Sequence, residues 1–193
     1  SGMNRKTAIK RLALLGAGGL LAYTGYRGYR LYRQPPLEEL DQYQAVLNEL
    51  AGIIIPPTDT PGAKEANVGP FIVRMVKDCA SKQSQNNFIE GIEDLVAYSR
   101  SEYGKPFEQC SAAEQETILA RFERKGRPYA GLLGKVERRL AGYSFFTTLK
   151  RYTVLGYGSS RPGCTEGLAY DYIPGRFVAE TTLTPGQRAW ATN

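Results

Sequence analysis

Apolar residues spaced three and four positions apart recur along most of this chain, and this spacing limits the possible folds more than any other feature. The first set predicts one helical face made of Leu40, Tyr43, Leu47, Leu50 and Ile54. The proline pairs at 35–36 and 56–57 predict where this helix begins and ends, because proline disrupts a helix interior.

The same spacing predicts four more helices. The second, over 70–79, is expected to bury Ile72, Met75, Val76 and Cys79. The third, over 84–103, buries Phe88, Ile92, Leu95 and Val96. The fourth begins at a capping box, Ser111 to Glu114, and buries Ile118, Leu119 and Phe122. The fifth, over 132–157, carries Val136, Leu140, Tyr143 and Thr147 on one side and Phe145, Leu149 and Tyr152 on another.

The sequence contains no strong alternating pattern of the kind that indicates β-strands. It therefore predicts an all-α fold, a single helical domain of about five helices with an N-terminal signal or anchor helix and a long irregular C-terminal extension. The expected boundaries are 1–2 for a tag remnant, 3–34 for the signal or anchor, 35–158 for the helical domain and 159–193 for the extension.

Residues 4–33 contain seven Lys and Arg and no acidic residue. The start resembles a twin-arginine export motif through Arg5, Lys6, Ile9 and Lys10, with Lys6 where the second arginine normally stands. The apolar run from Leu12 to Ala22 has 11 residues. A membrane-spanning helix needs about 20, so this run fits the hydrophobic region of a signal better.

Two fates of this segment stay open at the level of sequence. It is an export signal that is cleaved or retained as a membrane anchor, with Arg27, Arg30 and Arg33 reaching the headgroups. Alternatively, it is an ordinary amphipathic helix that lies on a partner protein. The first fate predicts a periplasmic, membrane-associated protein.

Charge and composition exclude several function classes. The net charge of +6 divides into seven basic residues within 1–33 and a remainder of 18 basic and 19 acidic residues. A nucleic-acid-binding domain spreads basic residues over a folded face, so that class is disfavoured. The chain has no histidine, which excludes Ser-His-Asp and Cys-His sites and His-ligated metals. We predict no catalytic, cofactor-binding or metal-binding residue in this chain.

The three cysteines, Cys79, Cys110 and Cys164, are widely spaced and form no CxxC pair. A zinc or iron–sulfur site is therefore not predicted. Cys79 is expected to be a small buried apolar residue. In an exported protein a single disulfide would leave one thiol, and the pairing stays open.

Two segments are candidates for contact with a partner. In the turn-rich stretch after the first helix, Asp59 either supports Pro61 and Gly62 through an Asx turn or contacts a partner. The tail after Gly158 either wraps around the chain's own helices or docks on another subunit through Tyr170, Tyr172 and Trp190.

Glu90, Glu93 and Asp94 form a group of carboxylates on the third predicted helix. A solvated polar face is the favoured interpretation, because no base, nucleophile or ligand accompanies them.

Three segments resemble the gluconate 2-dehydrogenase subunit 3 family. They are LAGIIIPPTDTPGAKEANVGPFIVRMVKDC at 50–79, FFTTLKRYTVLGYGSS at 145–160 and YDYIPGRF at 170–177. The resemblance implies a small subunit without flavin that partners a large FAD-dependent dehydrogenase of the glucose–methanol–choline type, which oxidises sugars, sugar acids or polyols. It implies that the small subunit helps the large one fold and carries it through the twin-arginine route. A membrane cytochrome c with haem c is often the third component.

The residues themselves agree with this resemblance on one point, namely that the chain lacks the dinucleotide-binding fingerprint expected of a catalytic subunit. The closest match to a GxGxxG fingerprint, at 16–19, has Leu21 where the third glycine is needed and lies in the apolar run. Two other function classes stay open, namely an envelope scaffold anchored by residues 3–33 and unrelated to oxidoreductases, and a small enzyme that uses tyrosine or carboxylate chemistry.

Overall fold

Six α-helices build the part of the chain that the computed structural model describes, which is residues 24–26, 28–127, 131–169, 175, 182 and 185–189. They are α1 Gln44–Ile54, α2 Gly69–Cys79, α3 Lys82–Tyr103, α4 Ala112–Lys125, α5 Gly131–Ala141 and α6 Phe145–Ser159. Two 3₁₀-helices, Leu37–Tyr43 and Phe107–Gln109, and a π-helical turn, Gly163–Gly167, complete the order. Residues 24–26 and 28–32, called here the N-terminal helical segment, are also helical. The all-α prediction is confirmed.

Serine caps fix three of the helix starts. The hydroxyls of Ser81, Ser111 and Ser144 accept hydrogen bonds from backbone amides three residues later. At Ser111 the Glu114 carboxylate also accepts from the Ser111 amide, which completes the predicted capping box. Gly104 ends α3 at a φ of +68°, a left-handed conformation that glycine adopts without strain.

The first predicted helix is divided in two. Residues 37–43 form a 3₁₀-helix, and the α-helix begins only at Gln44. The expected face is nevertheless inward, because Leu40, Leu47 and Leu50 are fully buried. The helix ends at Ile54, as the following proline pair predicts.

The prediction of one last helix over 132–157 is wrong. Gly142 has a φ of +77°, which α-helical backbone does not allow, and the chain breaks there into α5 and α6. Side chains from α3 hold the break in place. Asn87 Nδ2 donates to the Ala141 carbonyl at 2.8 Å and to the Tyr143 carbonyl at 3.0 Å, and the Ser84 hydroxyl accepts from the Tyr143 amide at 2.9 Å.

The two faces predicted for that last helix also have different fates. Phe145, Leu149 and Tyr152 on α6 are buried as expected. Of the other face, Val136 is 48% exposed, Leu140 60% and Tyr143 39%, and Leu132, on the same side of α5, is 76% exposed. The spacing therefore identified an apolar face correctly, but the described part of the chain does not cover it.

The core centres on the crossing of α3 and α6. Phe88 packs against Phe145 with ring centroids 5.2 Å apart, and Phe122 of α4 meets Phe145 at 6.1 Å. Gly91 makes the close approach feasible, because a Cβ at that position would collide with the Phe145 side chain. The three aromatic rings thus join α3, α4 and α6 into one core.

The prediction that Cys79 is buried is wrong. Cys79 is exposed because it is the last residue of α2, where the chain turns away at Ala80. Cys110 is the buried one, with its sulfur 3.3 Å from the Ser99 hydroxyl. Cys164 is half-buried and donates to the Gly158 carbonyl. All three are free thiols.

Within the described residues, no helix is both long and apolar enough to cross a membrane. The predicted signal or anchor, residues 3–34, falls mostly outside them. Arg5, Lys6, Ile9 and Lys10 lie outside the described residues altogether.

Candidate partner interface

The segment between α1 and α2, residues 55–68, forms a compact loop that we call the proline loop. Two backbone hydrogen bonds lie within the loop. The Ala63 amide donates to the Ile55 carbonyl at 2.9 Å, and the Thr58 amide donates to the Thr60 carbonyl at 3.0 Å. The Gly62 amide donates to the Glu65 carboxylate at 2.9 Å. The loop is therefore fixed by its own hydrogen bonds.

Gly62 is enclosed by backbone. A Cβ built there would lie 2.6 Å from the Ile55 carbonyl oxygen and 2.7 Å from the Pro57 nitrogen. Both distances are shorter than any tolerated contact with carbon. Only glycine therefore fits this loop as it is folded.

A tyrosine from α6 holds the proline loop from below. The Tyr157 hydroxyl donates to the Pro61 carbonyl at 2.7 Å, across 96 residues of sequence. One residue earlier, Gly156 lies so close to Val68 and Phe71 that an added Cβ would be 2.6 Å from each. The conformation of the loop thus depends on α6.

Asp59 stands at the exposed tip of the proline loop, with 79% of its side chain accessible. Its carboxylate accepts from the Thr58 hydroxyl at 3.0 Å and from Arg188 of the tail at 3.3 Å. Two hydrogen bonds to the Asp59 carboxylate hold the pKa of Asp59 below its usual range. The one from the Thr58 hydroxyl has the larger effect, and the one from the backbone amide of Asp59 itself has the smaller. Asp59 is therefore a fixed negative charge on the surface.

The Asx-turn interpretation of Asp59 is not what the structure shows. The residue two positions on is Pro61, which has no amide hydrogen, and the Gly62 amide donates to Glu65 instead. Glu65 is thus the side chain that supports the Pro61-Gly62 turn. This leaves the Asp59 carboxylate for its contacts with Thr58 and Arg188.

The described part of the tail lies against the chain itself. Arg188 reaches both Asp59 and the Glu166 carbonyl, and the Ala169 amide donates to the Ala189 carbonyl at 2.7 Å. Arg188 of the tail therefore contacts the chain's own domain at Asp59, and Ala189 contacts an earlier residue of the tail. Tyr170, Tyr172 and Trp190 lie outside the described residues.

Three residues of this surface were missed at the level of sequence. They are Glu65, Tyr157 and Arg188. Glu65 follows Gly62 by three residues, a spacing at which a carboxylate can accept from a turn amide. Tyr157 and Arg188 act across distances of 96 and 129 residues, which no local pattern reports.

Two carboxylates of α3, Glu90 and Asp94, line a different feature, a cleft of about 560 Å³ bordered by the N-terminal helical segment, α3, the end of α4, α5 and the start of α6. Glu90 pairs with Arg30 there, and Asp94 pairs with Lys125 at 3.2 Å. These two acids are therefore partnered by cations rather than solely solvated. Glu93 differs from them, since burial first, and then the Glu39 charge, raise its pKa.

We expect Glu93→Gln to raise the free energy of unfolding at neutral pH. When a carboxyl group has a higher pKa in the folded than in the unfolded protein, its ionisation lowers the free energy of unfolding. Glutamine does not ionise, so the substitution removes that cost. The gain should be a few tenths of a kcal/mol, since the side chain is only half-buried and water screens it. It should disappear below a pH of about 4, where both states are protonated. Urea unfolding of both proteins between neutral and acidic pH measures this, and a gain that persists in acid would contradict it.

In the part of the chain that the structure describes, helices carry a surface loop that is held by its own hydrogen bonds and by Tyr157, which is 96 residues from Pro61. The chain belongs to the gluconate 2-dehydrogenase subunit 3 family, whose model matches residues 41–175. The match runs from within the first 3₁₀-helix into the tail and includes both segments that meet at Tyr157. No curated protein and no solved structure shows a significant match. The family resemblance seen in the sequence is confirmed.

Proposed function

We propose that this chain is a non-catalytic small subunit that binds and stabilises a large FAD-dependent dehydrogenase and assists its export. The observation that carries the proposal is the match to the family model over residues 41–175. The name of that family describes a subunit of gluconate 2-dehydrogenase. The partner is of the glucose–methanol–choline type, and its substrate is gluconate or a related sugar or polyol. FAD belongs to the large subunit, and haem c belongs to a cytochrome third subunit.

The proline loop is the proposed contact with the large subunit. It is fixed before any partner arrives, by the Tyr157 and Glu65 hydrogen bonds. A surface that is already ordered loses little conformational entropy on binding, so more of its contact energy remains as affinity. Asp59 places a charge at the tip of the loop, where it can pair with a cationic group of the large subunit.

The proposed assignment of the oxidation chemistry to the large subunit follows from the side chains that this chain contains. Alcohol oxidation by a flavin needs a base to take the hydroxyl proton, and histidine, the commonest general base, does not occur in this chain. In the proposal, the large subunit supplies the hydride acceptor and the base. The small subunit supplies surface, not reacting groups.

Export is the second part of the proposal. Arg5, Lys6, Ile9 and Lys10 provide the export signal, and the large subunit travels folded and bound. The assembled complex resides in the periplasm, associated with the membrane.

Co-expression tests this function. The full chain carrying an affinity tag should recover a flavoprotein from the same cell, with flavin absorbance in a fixed ratio to the chain. Asp59→Arg should lower that recovery about tenfold or more, because it would place a positive charge against the cationic group with which Asp59 is proposed to pair.

Glu116→Arg on α4 is the matched control. Glu116 is exposed and carries the same charge, but lies outside the proline loop, so recovery should be unchanged. Thermal unfolding of both variants verifies that neither has lost its fold. A chain that purifies alone as a monodisperse monomer and brings down no flavoprotein would exclude the proposal. An unaltered yield with Asp59→Arg would remove the loop from the contact.

A further inference from the structure

Helix α5 presents an apolar stripe to the outside of the protein. Leu132, Val136 and Leu140 follow one another at intervals of four residues and are 76%, 48% and 60% exposed. Residues at this spacing lie on one helix face, one above the other. The opposite side of α5 is inward, since Gly134 is buried.

Basic side chains flank this stripe. Lys135 and Arg139, three and seven residues after Leu132, are both exposed along one edge of it. The surrounding segment, residues 124–151, has eight Lys and Arg and one acidic residue, whereas residues 34–123 have seven basic and fifteen acidic residues. A folded domain that is nearly neutral as a whole thus concentrates its positive charge around α5.

The N-terminal helical segment lies directly beside α5. The Tyr32 hydroxyl donates to the Leu140 carbonyl at 3.2 Å. Tyr26, Tyr29 and Tyr32 of this segment are 60%, 69% and 56% exposed. The sequence immediately before it is the apolar run from Leu12 to Ala22. Exposed tyrosines, basic residues and an aliphatic stripe therefore occupy neighbouring elements.

We propose that α5 lies flat on the surface of an anionic lipid bilayer, with Leu132, Val136 and Leu140 inserted between the headgroups and Lys135 and Arg139 paired with lipid phosphates. An aliphatic face flanked by Lys and Arg is the pattern of a helix that binds in the membrane interface. Tyrosine is enriched at the same depth, because its ring is apolar and its hydroxyl is polar. The inference concerns this chain alone and does not depend on the dehydrogenase partner.

Charge favours lipid over a protein as the occupant. The centre of a protein–protein interface is depleted of Lys and enriched in aromatic residues and Arg, so the exposed Lys135 is the cation that argues against a protein there. The stripe on α5 is aliphatic, with exposed Lys135 and Arg139 next to it. A bilayer accommodates both features at once, since acyl chains take up the aliphatic groups and phosphates neutralise the cations.

Vesicle partitioning tests the proposal with the full chain. Vesicles of phosphatidylcholine with phosphatidylglycerol should bind the protein, and phosphatidylcholine alone should bind it less. Lys135→Glu with Arg139→Glu should reduce binding to the anionic vesicles about twentyfold or more, since each cation near such a surface is worth about fivefold. Leu132→Ser, Val136→Ser and Leu140→Ser together should reduce it similarly.

Matched controls separate α5 from the rest of the surface. Val154→Ser with Leu155→Ser changes two exposed apolar residues of α6, and Arg74→Glu with Arg161→Glu reverses two exposed cations elsewhere. Both controls should partition as the parent protein does. Thermal unfolding should show that every variant stays folded, because every substituted residue is exposed.

A second measurement reports how deeply α5 enters the bilayer, whatever residues 3–22 contribute to vesicle binding. The chain has one tryptophan, so Val136→Trp in a Trp190→Phe background places a single fluorophore on the stripe. Brominated lipids should quench its emission in anionic vesicles. Emission that stays unquenched while the protein is bound would overturn the proposal, as would α5 variants that partition like the parent. Variants that keep vesicle binding but lose a co-purifying flavoprotein would assign this face to a protein partner instead and equally overturn it.

Discussion

Replacing Phe88 by alanine should lower the free energy of unfolding by about 3–5 kcal/mol, the usual cost of removing a buried phenylalanine. Phe88 is fully buried, and its ring lies 5.2 Å from that of Phe145. The cavity would open where α3, α4 and α6 meet, and three helix backbones cannot all move inward to fill it. Since whole domains have about 5–15 kcal/mol of stability, the loss would be severe. Equilibrium unfolding in urea measures it.

Val154→Ala is the comparison for that experiment. Val154 is 52% exposed on α6, so its truncation should change the stability by no more than about 0.5 kcal/mol. A Phe88→Ala protein that loses less than about 1 kcal/mol would mean that the aromatic cluster is not the centre of the core.

Gly62→Ala should destabilise the protein by about 1–3 kcal/mol and should also displace the proline loop. The added carbon would lie 2.6 Å from the Ile55 carbonyl oxygen and 2.7 Å from the Pro57 nitrogen. Both neighbours are backbone, so the loop must open to make room. In the proposed function, recovery of the large subunit should then fall further than the stability loss alone explains. Urea unfolding and co-purification measure the two effects separately.

Gly158→Ala adds the same methyl group in open space. No atom outside the local helix lies within 4 Å of a Cβ at Gly158, which is inside α6. Alanine favours helix over glycine by about 1 kcal/mol, so this variant should be neutral or more stable. Equal behaviour of the two variants would show that the packing around Gly62 is looser than the structure indicates.

The helix ends were predictable because the signals for them are local. Ser111 and Glu114 are three residues apart and form their capping box within one turn. The proline pair at 56–57 ends the first helix through its own ring geometry. The apolar spacing also predicted the inward faces of α3 and α4 correctly, since Phe88, Ile92 and Ile118 are fully buried.

The break at Gly142 was harder to predict, since the apolar spacing continues across it from Val136 and Leu140 to Tyr143. Glycine is tolerated within helices, so its presence alone did not indicate a boundary. What decides the break is tertiary: Asn87 and Ser84 of α3 bind the backbone on either side of Gly142. The exposure of the α5 stripe likewise depends on which neighbours pack against it, and periodicity does not report that.

The proline loop shows the same division between local and distant causes. Its turn residues, Pro61 and Gly62 among them, were evident from composition. The hydroxyl of Tyr157 that supports Pro61 comes from another helix, and the sequence contains no signal that pairs these two positions.

The hydrogen bond between Tyr157 and Pro61 also sets an order of events during synthesis. The proline loop leaves the ribosome early, but the helix that supports it is made 96 residues later. At about 5–20 residues per second, the loop waits several seconds for its support. Any recognition that requires the finished loop therefore waits until the chain has been made at least as far as Tyr157.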